Sequence, residues 1–99
     1  MAYDQDLGFV YFGPTKIVFG AGASRDVAME MSGLGCGRAL VVTDPGVMRA
    51  GLVDGILKAL GERCAGVWND VPQDTGLGVV NRAAAFARGK GADCVVSVG

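Results

Sequence analysis

Histidine is absent from the 99-residue chain, so the commonest general base and the commonest metal ligand are missing. Cysteine is scarce and widely spaced. Cys36, Cys64 and Cys94 contain no Cys-x-x-Cys, and an odd number at this spacing fits reduced thiols better than a disulfide framework or a zinc site. No run of about 18 uncharged apolar residues occurs, so no membrane span is expected. No lysine or arginine cluster occurs either. Nine basic and ten acidic residues leave a net charge of −1, which predicts no nucleic-acid partner. The opening Met-Ala-Tyr-Asp-Gln-Asp has two acids and no basic leader region, so a cytoplasmic location is expected. Disorder is excluded as well: 51% of residues are hydrophobic and only 19% charged.

Glycine is abundant. The 17 glycines have no collagen-like period and fall mostly between apolar runs, where tight turns join short elements. Residues 9–12 and 16–19 read as two β segments around Gly13-Pro14-Thr15. Ser24 is placed to cap a helix carrying Val27, Met31 and Leu34 on one face. The run Ala39-Leu40-Val41-Val42-Thr43 has the pattern of a strand buried on both faces and stops at Asp44-Pro45-Gly46. A second amphipathic stretch aligns Leu52, Val53, Ile56, Leu57 and Leu60. Residues 65–69 form a weaker strand. Asp74 or Thr75 can cap the next helix, whose apolar stripe is Val79, Val80, Ala83, Phe86 and Ala87. Cys94-Val95-Val96-Ser97-Val98 closes the series as another strand with a buried look.

Strands alternating with helices predict an α/β fold, a Rossmann-like parallel sheet with flanking helices, preceded by a short β segment. The sheet looks truncated, because its most hydrophobic strand ends at Gly99 without the helix that should follow. One face of that strand is therefore expected to lack cover.

In open parallel sheets ligands bind beyond the carboxyl ends of the strands. Thr43-Asp44-Pro45-Gly46, Asn69-Asp70 with Gln73, and Gly99 fall there. Asp44 can accept hydrogen bonds from ribose hydroxyls and repel a 2′-phosphate; equally, it can begin a turn or cap the following helix. Gln73 can contact a nucleotide or sit on a solvated turn. Gly20-Ala21-Gly22-Ala23-Ser24-Arg25 misses the G-x-G-x-x-G fingerprint by its arginine and also reads as a plain turn. Cys94 reads as an inert strand residue, Cys36 as a loop thiol and Trp68 as packing. No nucleophile–base triad or carboxylate pair can be assembled.

From Pro14-Thr15-Lys16-Ile17-Val18-Phe19-Gly20-Ala21-Gly22, through Arg38-Ala39-Leu40-Val41-Val42-Thr43-Asp44 and Gly51-Leu52-Val53, to Gly91-Ala92-Asp93-Cys94-Val95-Val96-Ser97-Val98-Gly99, the chain resembles the iron-containing (group III) alcohol dehydrogenases. The resemblance implies that residues 1–99 are the incomplete N-terminal dinucleotide-binding domain of an NAD-dependent, metal-assisted alcohol dehydrogenase. A helical C-terminal domain would supply the aspartate and histidines for Fe²⁺ or Zn²⁺. It further implies that Asp44, Gln73 and Gly99 hold the NAD cofactor, Gly99 as the first residue of a pyrophosphate loop. No residue of this segment would be catalytic, and the segment alone would be inactive. Pro72-Gln73-Asp74-Thr75 departs from the family's Pro-Asn-Pro-Thr turn. The family also implies an alcohol or aldehyde substrate and a homo-oligomer, with residues 9–12 pairing between subunits. Two alternatives stand beside this reading. One is a non-catalytic nucleotide-binding or interaction module; the other is a related maleylacetate reductase or hydroxyacid–oxoacid transhydrogenase.

Overall fold

A computed structural model describes residue 13, residues 15–70 and residues 76–99. Within them, three parallel strands form one sheet: β1 (Ala39–Val42), β2 (Cys64–Trp68) and β3 (Cys94–Ser97), in the order β2-β1-β3. Helices α1 (Val27–Gly33), α2 (Pro45–Arg49), α3 (Asp54–Leu60) and α4 (Leu77–Gly89) occupy the connections. This is the expected parallel α/β architecture. The chain leaves β1 for a neighbour on one side and later places β3 on the other, so the strand order reverses between β1 and β3.

β1 is central because both of its faces are apolar. Ala39 and Val41 meet Met31, Val53 and Leu60 in the closely packed core beside α1 and α3. Leu40 and Val42 face α4 across a looser apolar groove of about 290 Å³ that Trp68, Ala83 and Val95 also line. The Phe86 ring of α4 packs 5.4 Å from Trp68 at 57°, an aromatic pair that bears out the packing role expected of the tryptophan. Gly66 makes that approach possible, since a Cβ there would stand 3.2 Å from Phe86 Cε1.

Several local expectations are corrected. Residues 16–19 join no ladder; Ile17 is 83% and Phe19 98% exposed, because no strand among the described residues lies beside them. Lys16 instead reaches Glu30 of α1 at 2.9 Å. Their expected partner, residues 9–12, and with it the pairing between subunits, lies outside the described residues. Ser24 sits inside a 3-10 turn (Ala23–Asp26) that precedes α1, and Gly22 takes the cap position. Gly20 and Gly22 build that turn through Ala23 N–Gly20 O and Arg25 N–Gly22 O, both 3.1 Å. Leu34 and Leu52 are exposed. Leu34 lies past the end of α1, and Leu52 falls in the turn where Gly51, at φ 74°, divides the expected single helix into α2 and α3. Gly76 holds the cap position of α4, while Asp74 and Thr75 lie outside the described residues.

β3 alternates half-buried and exposed residues instead of burying both faces. Val95 is 59% exposed, in keeping with the missing cover expected on one face of this strand. Among the described residues β3 is an edge strand, and α4 packs chiefly on β2.

Candidate functional site

The turn after β1 is built by residue chemistry that suits a helix start. Asp44 has the extended backbone of an N-cap, and its Oδ1 accepts the Val47 N–H at 2.8 Å. Pro45 occupies the first helical position, where its missing N–H costs nothing. The capping alternative for Asp44 is therefore realised. It does not exhaust the carboxylate: one N–H is accepted at Oδ1, and no protein donor among the described residues meets Oδ2. A Cβ at Gly46 would stand 3.2 Å from Oδ1, so glycine keeps that flank of the carboxylate uncrowded.

Thr43 carries a function that sequence reading missed. It is only 3% exposed, and its N–H donates to Trp68 O at 2.9 Å. Its Oγ1 donates to Val98 O, also at 2.9 Å. One residue thus bridges from β1 to the ends of both flanking strands. Val98 N–H to Val42 O, 2.9 Å, continues the β1–β3 ladder one step further. The available signal was a lone hydroxyl at the close of an apolar run, where a hydrogen-bonding group has to find partners.

Beside these bonds lies a cavity of about 220 Å³ lined by Val42, Thr43, Asp44, Ser97, Val98 and Gly99. It lies beyond the carboxyl ends of β1 and β3, where the strand order reverses, the place at which open α/β sheets bind ligands. Of the three expected cofactor residues, Asp44 and Gly99 meet here. Gln73 lies outside the described residues. The volume is below the ~300–1,000 Å³ of whole small-molecule sites. A carboxylate acceptor beside a glycine and main-chain groups suits the ribose end of a dinucleotide. An aspartate-and-histidine metal centre does not fit this chain, which has no histidine.

The opposite end of the same strand pair holds a second cluster, also missed. Asp93 precedes β3, and its carboxylate accepts Gly37 N–H at 2.9 and 3.2 Å and Arg38 N–H at 2.9 Å. Those bonds, that from Gly37 foremost, hold the Asp93 carboxyl below its ordinary value. The thiols of Cys36 and Cys94 and an Asp93 oxygen lie within 4.8 Å of one another. Burial first, and the neighbouring Cys36 and Asp93 after it, push the Cys94 thiol up to about 11. Expected in the core of a buried strand, the residue is instead half-buried at the start of an edge strand. Spacing along the chain could not reveal the meeting, because parallel pairing joins Cys94 to Ala39, three residues from Cys36.

A maleylacetate reductase from a Rhizobium species is 44% identical over 92 residues, which cover 92% of this chain and 26% of that protein. A choline dehydrogenase from Bacillus subtilis is 33% identical over 90 residues, covering 87% of this chain and 22% of the relative. The crystal structure of maleylacetate reductase from Agrobacterium tumefaciens superposes with a TM-score of 0.75 at 41% identity, over 88% of this chain and 25% of that one. The chain therefore spans about a quarter of the length of these relatives. The sequence model described as "Iron-containing alcohol dehydrogenase" matches residues 14–99. By this match across nearly its whole length, the chain belongs to the iron-containing alcohol dehydrogenase family.

Proposed function

We propose that this chain is the leading part of the dinucleotide-binding domain of an NAD(P)-dependent oxidoreductase, with NAD preferred, that interconverts an alcohol and its carbonyl partner. The single observation that carries the reading is the convergence of Asp44 and Gly99 in one cavity at the β1/β3 reversal. Family membership supplies the reaction class. Bound NAD brings a nicotinamide that exchanges a hydride with the substrate. The residues of this segment do the holding. The free side of the Asp44 carboxylate accepts the ribose hydroxyls and disfavours a 2′-phosphate by like charge. Gly99 offers main chain without a side chain in the way, and Gln73 is a third cofactor contact. Thr43 keeps the two strand ends at a fixed spacing so that these groups stay in register. No residue here is assigned to the chemical step, and the segment alone is inactive in this reading. The family's divalent metal, iron or zinc, belongs to residues beyond this chain. The protein is read as a cytoplasmic homo-oligomer acting on a small molecule, with no nucleic-acid or membrane partner. Among the described residues no helix is long and apolar enough to cross a membrane.

Asp44→Asn in the whole protein tests the reading, because asparagine caps a helix as well as aspartate does but lacks the charge. The expected result is a rise of roughly tenfold in kcat/KM for NADP relative to NAD, the scale of one close charge contact. An unchanged cofactor ratio would remove Asp44 from the site.

A second reading concerns the substrate. Several relatives, at 44% and 37% identity among them, are maleylacetate reductases, which favours an unsaturated oxo-acid reduced at the expense of the nicotinamide cofactor. Side-by-side turnover of maleylacetate and simple alcohols by the whole protein separates the two.

A further inference from the structure

The amino end of the β1–β3 pair carries three side chains for which the proposed redox reaction has no use. Cys36 lies in the loop leading into β1, Cys94 opens β3, and Asp93 immediately precedes it. The Ala39–Cys94 register brings them to one place. Their two sulfurs and a carboxylate oxygen lie within 4.8 Å of one another. A tetrahedral zinc-class ion has bonds of about 2.3 Å to sulfur and about 2.1 Å to oxygen, which sets the donors about 3.6–3.8 Å apart. Closing the present triangle around such an ion takes side-chain movements of about an ångström.

The present partners of these groups favour the same conclusion. Cys36 Sγ donates to Leu34 O at 3.9 Å and Cys94 Sγ to Arg38 O at 3.6 Å, weak bonds that are cheaply given up. The Asp93 carboxylate is already oriented by main-chain N–H groups. Its Oδ1 accepts from Gly37 and Arg38, and Oδ2 accepts from Gly37, the one backbone donor that meets it among the described residues. Ligand carboxylates in metal sites are commonly fixed by such hydrogen bonds. Access is open as well: both cysteines are half-buried and Asp93 is exposed. Asp93 forms no ion pair among the described residues, so none of their cations competes for it.

We propose that Cys36, Cys94 and Asp93 form a binding site for a thiophilic divalent cation of the zinc and cadmium class, with water as the fourth ligand. On loading, two S–H bonds break, two sulfur–metal bonds form and two protons pass to solvent. No electron is transferred, so no oxidant is required. The ion ties the loop before β1 to the start of β3 across 58 residues of chain (94 − 36).

Cadmium is the probe, added to the whole protein in a metal-free, reducing buffer. The expected result is an ultraviolet thiolate-to-cadmium charge-transfer band, reversed by excess zinc. Cys36→Ser and Cys94→Ser should each weaken the binding behind this band by at least about tenfold, and Asp93→Asn by a smaller factor. The band is silent on cadmium held by oxygen and nitrogen donors. A readout that needs no variant is alkylation mapped by mass spectrometry: cadmium should protect Cys36 and Cys94 and leave Cys64 as reactive as before. A band unchanged in both serine variants would overturn the assignment. So would alkylation of Cys36 and Cys94 at the same rate with and without cadmium. Loss of two hydrogens in mass without reductant, with no cadmium uptake on reduction, would assign the pair to a disulfide and likewise overturn it.

Discussion

The two ends of the β1–β3 pair use an aspartate in opposite ways. At the carboxyl end Asp44 accepts a single N–H, from Val47, and keeps one side of its carboxylate open toward a cavity. At the amino end Asp93 takes three N–H contacts from Gly37 and Arg38, and its ordinary titration range is lowered as a result. The difference teaches that position in the sheet matters less than what the neighbouring backbone demands. A helix start needs one acceptor, and the remainder of the carboxylate is free for a ligand. A loop that turns two consecutive N–H groups inward needs a whole carboxylate, so what remains there is narrower and depends on the thiols beside it.

The comparison can be broken most forcefully at Thr43. Thr43→Val keeps the shape but leaves the half-buried Val98 carbonyl without its donor from the buried threonine. A loss of about 1–3 kcal/mol is expected in urea unfolding of the whole protein, with a raised KM for the dinucleotide. An unchanged KM would show that the strand-end bridge does not shape the carboxyl end. Next in size, Asp44→Ala removes cap and charge together. It should cost about 1 kcal/mol, whereas Asp44→Asn should cost little and change only cofactor preference. Equal destabilisation by the two variants would mean that the cap is not what Asp44 contributes.

At the amino end the effect is set by pH. Because the folded Asp93 carboxyl lies below its ordinary 3.8, its contribution to stability is present above that value and lost as pH falls through the folded one. Asp93→Asn should therefore lower the melting temperature near neutrality and make little difference in strong acid. A constant offset across the whole acid range would contradict this. Smallest of all is a kinetic effect. With its thiol raised to about 11, Cys94 in the metal-free protein should be the slow cysteine toward a thiolate-selective reagent at pH 8. Its rate should still climb where an ordinary thiol, near pKa ~8.5, has levelled off. A plateau by pH 9 would place Cys94 in an ordinary environment.

Much of this architecture was legible from residue patterns. The uninterrupted apolar run through Val41 announced a doubly covered strand, and the amphipathic stripe through Phe86 announced the helix against it. Asp44 could be singled out because a strand ended beside it, and of its two readings the cap is realised, through Val47 N–H to Oδ1. What escaped were features made by pairing rather than by local order. Residues 16–19 have the composition of a strand but join no ladder among the described residues, since strand formation needs a neighbour as well as suitable residues. The Cys36–Cys94–Asp93 meeting depends on a parallel register that no spacing rule encodes. Gly51 looked like one glycine among many, yet its positive φ divides a stretch that periodicity treated as continuous.

The strand order β2-β1-β3 also dictates when the cavity can exist during synthesis. β1 and β2 can pair once the chain has grown through Trp68, but β1 then still has a bare edge. Closing the longer loop to β3 adds only a modest entropic cost, though it must be met before the contacts that repay it are made. Until Ser97 has docked beside Val42, the cavity that Asp44, Ser97, Val98 and Gly99 line has only one of its walls. The exposed edge of β1 is in that interval a template for other chains. Any ligand of the proposed site would act only afterwards, drawing the docked state forward by mass action.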